Sequence, residues 1–208
     1  MSTQVLSVSL PSEIIYVSGT VNGTAYTWTL IEGAWTATVE RAADDTYAVA
    51  LTAVTAAGVS INYTLTLYYG LLSLITDRTR ADVENETDKG FYNASDLNRV
   101  GAAVEYIAGR FTALGYACPV TVKKDWLTTD AQTDAPTASQ MEAYRQNIVT
   151  LRGQIAVMAS TPEAPASMAG LNYVKANNIE QILLDLDALI DKLIKSWCFS
   201  GELYAGEV

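Results

Sequence analysis

From the start of the chain to about Tyr69, apolar and polar residues alternate with a period of two. Leu6, Val8 and Leu10 alternate with serines, and Ile14 to Val21 runs up to Asn22-Gly23, the preferred dipeptide of a tight hairpin turn. Tyr26, Trp28 and Leu30 follow, then Trp35, Ala37 and Val39 after Glu32-Gly33. Tyr47 to Ala53 and Val59 to Leu67 complete the set, separated by turns at Asp44-Asp45 and Ala57-Gly58. Each run has one apolar face, so the pattern predicts six strands packed as a small antiparallel β-sandwich over residues 1–70.

The period then changes. In Tyr92 to Tyr116 the apolar residues Leu97, Val100, Val104, Ile107, Phe111 and Leu114 step by three and four, the seam of a helix that packs on other helices. Asn93 and Asp96 are placed to cap its start, and Gly115 to end it. The same spacing recurs in Met141, Tyr144, Ile148, Leu151, Ile155 and Met158, after a Thr137/Gln140 capping pair. It appears once more in Ile179, Ile182, Leu186, Leu189 and Leu193, within a helix expected to run from about Asn172 to Trp197. A lone seam helix is unstable in water, so the three are expected to form an antiparallel three-helix bundle over residues 93–197. Residues 71–92 read as a charged connector in which Thr79 and Asp82 start a short helix ended by Gly90. Cys118 to Val122 is expected to be extended, and Lys123 to Pro136 to be a polar loop. Residues 198–208 form a C-terminal tail.

Half of the 208 residues are hydrophobic, enough for a substantial core. The net charge is −10, of which residues 1–70 carry −4, with Arg41 their only base, and the rest −6. That sign repels phosphate backbones and anionic lipid surfaces, which argues against nucleic acid and membrane as partners. No span reaches the ~18 apolar residues of a membrane helix. Met1-Ser2-Thr3-Gln4 is not a basic leader, so synthesis in the cytosol without an export signal of its own is expected. Cys118 and Cys198 then read as reduced thiols.

Candidate chemistry is sparse. There is no histidine, no Gly-rich phosphate loop and no G-x-S-x-G, so no catalytic residue, metal ligand or cofactor is assigned. Asp185, Asp187 and Asp191 read as a solvated helix face rather than a metal or acid–base cluster. Trp28 and Trp35 fall in the inward register and read as core ahead of a sugar-stacking platform. The Thr- and Ser-rich outward faces read as strand propensity ahead of a flat carbohydrate or protein contact surface. Trp126, alone among polar residues, either tucks onto the neighbouring helices or meets a partner. Trp197, Phe199, Leu203 and Tyr204 sit in a stretch too short to form its own layer. They are read as assembly contacts ahead of a local clasp, and homo-oligomerisation or incorporation in a larger assembly is expected.

The run VSGTVNGTAYTW, then WTATV, DDTYAVALTA and AAG, resembles bacterial immunoglobulin-like modules, found as spacers in surface adhesins and as appendages of phage virion proteins. Many such modules hold calcium at a final Asp-x-x-Gly-Asn turn. Here that turn is Thr55-Ala56-Ala57-Gly58-Val59-Ser60, without a carboxylate, and no metal site is carried over. The blocks ITDRTRADV, KGFYNASDLNRVGAAVEY, NNIEQILLDLDALI and SGELYAGEV resemble prophage-encoded tail and baseplate proteins of Gram-positive gut bacteria. The resemblance implies a non-enzymatic virion structural protein at a tail tip, baseplate or fibre, assembled in the host cytoplasm. Its implied partners are itself, other virion proteins and a host-surface glycan or protein. The alternative is a bacterial surface adhesion module with an Ig-like spacer, which would call for a signal peptide, a sorting tail or tandem repeats.

Overall fold

The structure, a computed structural model, describes residues 3–43, 45–69, 74–129 and 135–202, with backbone only at 129 and 197–202. Seven strands precede Tyr69: β1 (Thr3–Val8), β2 (Ile14–Val21), β3 (Thr24–Thr27), β4 (Thr29–Ile31), β5 (Ala34–Glu40), β6 (Thr46–Thr55) and β7 (Ser60–Tyr68). Then come α1 (Arg80–Glu84), α2 (Ala94–Ala113), a two-residue strand β8 (Thr128–Thr129), α3 (Ala138–Arg152) and α4 (Tyr173–Glu202). All strand pairings are antiparallel, in two sheets of order β1-β5-β4 and β3-β2-β6-β7-β8. The chain groups into two compact units, each drawn from several stretches. One comprises Met1–Leu72, Tyr92–Ala103 and Val122–Ala138; the other comprises Ser73–Phe91, Val104–Thr121 and Ser139–Val208.

In the first unit both sheets turn their apolar residues onto one core. Leu6, Val8, Trp35, Ala37 and Val39 from the smaller sheet meet Val17, Val21, Tyr47, Val49, Leu51, Tyr63, Leu65 and Leu67 from the larger. Asn22 and Gly23 both have positive φ, the backbone a two-residue hairpin between twisted strands demands. The strand expected from Tyr26 to Leu30 is in fact two. β3 pairs with β2 in one sheet and β4 with β5 in the other, so the chain changes sheets at Trp28, whose ring is buried in the shared core. The sequence cannot report this, because its apolar alternation runs on from Tyr26 and Trp28 to Leu30, whereas in β4 Leu30 is exposed. A register shift between Ile14 and Tyr16 lets two successive residues, Ile15 and Tyr16, face outward.

In the second unit the helical seams are buried: Val104, Ile107 and Phe111 on α2, Tyr144, Ile148 and Leu151 on α3, Ile179, Ile182, Leu183, Leu186 and Ile190 on α4. The end of α2 closes as its sequence predicts. Gly115 has φ +87°, the Tyr116 N–H donates to Phe111 O at 3.0 Å, and the two rings meet edge to face. Three expected boundaries move. α1 is capped by Thr79 and Asp82 but ends at Glu84, and Gly90 instead folds back until its α-carbon lies against the Asp82 carbonyl. α3 ends at Arg152, leaving Ile155 and Met158 outside it, while the Arg152 guanidinium turns to Pro162 O and Glu163. α4 continues past Trp197 to Glu202, because that stretch contains no proline and its Gly201 falls only in the last turn. Cys118 to Val122 forms no strand; Thr121 is held by Asn147, which accepts its N–H and donates to its carbonyl.

Candidate functional site

The outward residues of the five-stranded sheet are uncharged and, apart from Tyr16 and Tyr68, small. In register across β2, β6 and β7 they run Tyr16-Val54-Ser60, Ser18-Thr52-Asn62 and Thr20-Ala50-Thr64, with Ala48 beside Thr66 and Thr46 beside Tyr68 at the far end. Alternation dictates this, since every second residue of the same strands is committed to the core. Over one end of this face lies the beginning of α2. Its first turn is fixed by a reciprocal cap: the Ser95 and Asp96 N–H groups donate to Asn93 Oδ1, and the Asn93 N–H donates to Asp96 Oδ2 at 2.9 Å. Asp96 also pairs with Arg99, both buried.

Asn98 anchors this turn. Fully buried, it donates to Thr66 O at 3.0 Å and Trp126 O at 3.1 Å, and its Oδ1 accepts the Trp126 N–H at 2.7 Å. One amide thus binds the helix, β7 and the segment before β8. That segment is also held by the Asp125 carboxylate accepting the Ser9 N–H, and within it the Lys123 ammonium stands 4.5 Å over the Trp126 ring.

These elements enclose a cleft of about 560 Å³. Its floor is Thr20, Ala48, Ala50, Thr64 and Thr66, one wall is Asn93, Ala94, Ser95 and Asn98 at the start of α2, and the other is Trp126 and Thr128. The Ser95 hydroxyl is committed to Asn93. The hydroxyls of Thr20, Thr64, Thr66 and Thr128 make no hydrogen bond among the described residues. The Trp126 indole N–H is buried without a partner among them. Among the described residues every side chain lining the cleft is neutral, so it can offer hydroxyls, the Asn93 amide and methyls to a ligand.

Of the residues singled out in the sequence, Trp126 is 2% exposed and taken up within its own unit, so it is not a surface contact. Trp197 and Phe199 lie on helical backbone, with their side chains outside the described atoms, and Leu203 and Tyr204 lie outside the described residues altogether. Asp187 and Asp191 do more than face solvent: both bind the Arg110 guanidinium, tying α4 to the end of α2, with Asp187 partly buried and Asp191 still half exposed. Asp185 accepts instead from Gln181. Cys118 is a free, half-buried thiol whose pKa is pushed up by burial.

A second polar anchor had no sequence signal. Arg78 and Glu180, 102 positions apart, form a buried ion pair at 2.7 Å, and Glu180 also accepts the Ile75 N–H. Asn177 accepts the Arg78 N–H and donates to its carbonyl, so the connector is fastened to α4 through backbone as well as charge. Among the described residues no group of three or more acids or cysteines is placed to hold a metal, and no helix is long and apolar enough to cross a membrane. Comparison with protein-family models, curated proteins and solved structures finds no match to this chain.

Proposed function

We propose that the chain is a non-enzymatic structural protein of a phage virion, part of a tail tip, baseplate or fibre, that acts in particle assembly or host-surface attachment. On this reading the two sheets are an Ig-like sandwich and α2, α3 and α4 an antiparallel three-helix bundle, and the partners are other copies of the chain and other virion proteins. One observation supports it above the rest: the blocks that resemble virion proteins contain the residues that hold this fold together. ITDRTRADV includes Arg78 and the Thr79/Asp82 cap, KGFYNASDLNRVGAAVEY includes the Asn93/Asp96 cap and Asn98, and NNIEQILLDLDALI includes Asn177, Glu180 and Asp187. A likeness seated in the polar anchors of the fold, with Arg78, Asp96, Asn98 and Glu180 buried among them, is a likeness of architecture, and the role it carries is structural.

The test is to induce the prophage of the encoding bacterium, purify the particles and identify their proteins by mass spectrometry. The chain is expected in the particle fraction in a fixed ratio to the other tail proteins. Recovery from the wall fraction of uninduced cells, with none in particles, would instead establish the surface-adhesion reading.

A further inference from the structure

We infer that the cleft between the five-stranded sheet and the start of α2 is a binding site for a short neutral glycan, one bearing no carboxylate, sulfate or phosphate. The inference rests on the attachment reading above for its setting and on the cleft alone for its chemistry.

The wall excludes two other ligand classes. Among the described residues no side chain lining the cleft is charged, although the chain carries 23 acids and 13 bases. An ionic ligand would give up hydration there and meet no opposite charge, a loss that neutral dipoles do not fully offset. A wholly apolar ligand would strip water from the Thr20, Thr64, Thr66 and Thr128 hydroxyls and give nothing back, and a buried polar group left unpaired is costly. A sugar satisfies both constraints. Each of its hydroxyls, like each threonine's, donates one hydrogen bond and accepts others, so the two sets can pair in many arrangements. Ala48 and Ala50 keep the floor low and apolar between the threonines, a surface on which the C–H face of a pyranose can lie. The volume, about 560 Å³, falls within the range of small-molecule sites.

The experiment is a titration of the nitrogen-labelled full chain, followed by NMR, with neutral trisaccharides of glucose, galactose and N-acetylglucosamine at millimolar concentration. Trigalacturonate serves as an acidic probe of the same length. At least one neutral probe is expected to shift the amide resonances of Thr20, Ala50, Thr64, Ser95 and Thr128, and trigalacturonate to shift none. Ala50→Trp, which fills the floor from an outward position, and Thr64→Glu, which charges it, are each expected to weaken binding by roughly tenfold or more. At least one of them should keep the melting temperature of the parent. Shifts with none of the neutral probes, equal shifts with the acidic one, or undiminished binding by both folded variants would overturn the inference. None of these results touches the particle test: a chain found in virions that ignores all sugars loses the ligand and keeps the structural role, and a sugar-binding chain found only in cell walls does the reverse.

Discussion

Asn98 concentrates more of the first unit's order than any apolar residue near it, because three backbone groups from two other segments end on one side-chain amide. Replacing it with Leu leaves the Trp126 N–H and carbonyl and the part-buried Thr66 carbonyl without that partner, and a buried group so stranded costs ~1–3 kcal/mol. Asn98→Leu is therefore expected to lower the chemical-denaturation midpoint by more than a comparable substitution at exposed Thr64. Asn98→Asp is expected to do so too, since a carboxylate faces two carbonyl oxygens there. Glu180 calls for the same argument with charge added. Removing one partner of a buried ion pair typically costs ~3–5 kcal/mol, whereas replacing both with apolar groups can be neutral. Glu180→Leu should accordingly destabilise strongly, and adding Arg78→Met should recover much of the loss, though not the part due to Ile75, whose N–H still lacks its acceptor. A double mutant no more stable than Glu180→Leu alone would show that the charge pair is not where the energy lies. Neither anchor was visible in the sequence. An isolated Asn on a helix, or an Arg and a Glu 102 positions apart, has no pattern until the fold brings its partners.

At the scale of elements, periodicity reports which face of a segment is buried and little about what it is buried against. The seam of α2 was legible from Leu97 to Phe111. That its first half belongs with the strands and its second half with the other helices was not. Two glycines in this helix separate the cases. Gly109 is exposed, and a β-carbon added there would meet nothing within 4 Å, so Gly109→Ala should stabilise by ~0.5–1 kcal/mol through backbone entropy alone. Gly101 is buried, and a β-carbon there would stand 2.8 Å from the Lys123 carbonyl oxygen, so Gly101→Ala should destabilise despite the better helix propensity. Thermal melts of the two variants should move in opposite directions; two upward shifts would mean that residues 122–124 do not press on α2. The opposite end of the helix is held by charge. The Arg110 guanidinium, by hydrogen bond first and by charge second, holds the Asp191 carboxyl below the usual carboxylate range. A depressed carboxylate stabilises the fold above its ordinary pKa and loses that contribution as pH falls through the depressed value. The melting-temperature gap between the parent and Asp191→Asn should therefore be present near neutrality, close on acidification below about pH 4, and narrow in high salt, because Asp191 is half exposed. A gap that stays constant with pH would assign the effect to packing.

For the whole molecule the open question is what α4 does after its own unit stops covering it. Its apolar positions continue at helical spacing from Leu186 and Ile190 to Leu193, Ile194 and Trp197. Burial does not follow: Leu186 and Ile190 are fully buried, Leu193 is half-buried, and Ile194 is 38% exposed amid exposed neighbours from Asp191 to Ser196. The backbone remains helical to Glu202, about twelve residues beyond Ile190 or ~18 Å of helix at 1.5 Å per residue. A helix that keeps its stripe while losing its cover gains by pairing that stripe with another, and in a closed assembly the nearest equivalent stripe is that of a second copy. The charge of −10 opposes such contacts, most strongly at low ionic strength. The full chain is therefore expected to associate at tens of micromolar in physiological salt, by light scattering, and to dissociate toward monomer as salt is lowered. A chain ending at Ser196 should remain monomeric in both conditions while keeping its melting temperature, because it retains every residue of α4 described as buried, the last being Ile190. Should both chains prove monomeric, with the shorter one melting earlier, the last turns of α4 and Trp197 would be a clasp on their own unit, and assembly would have to run through another surface.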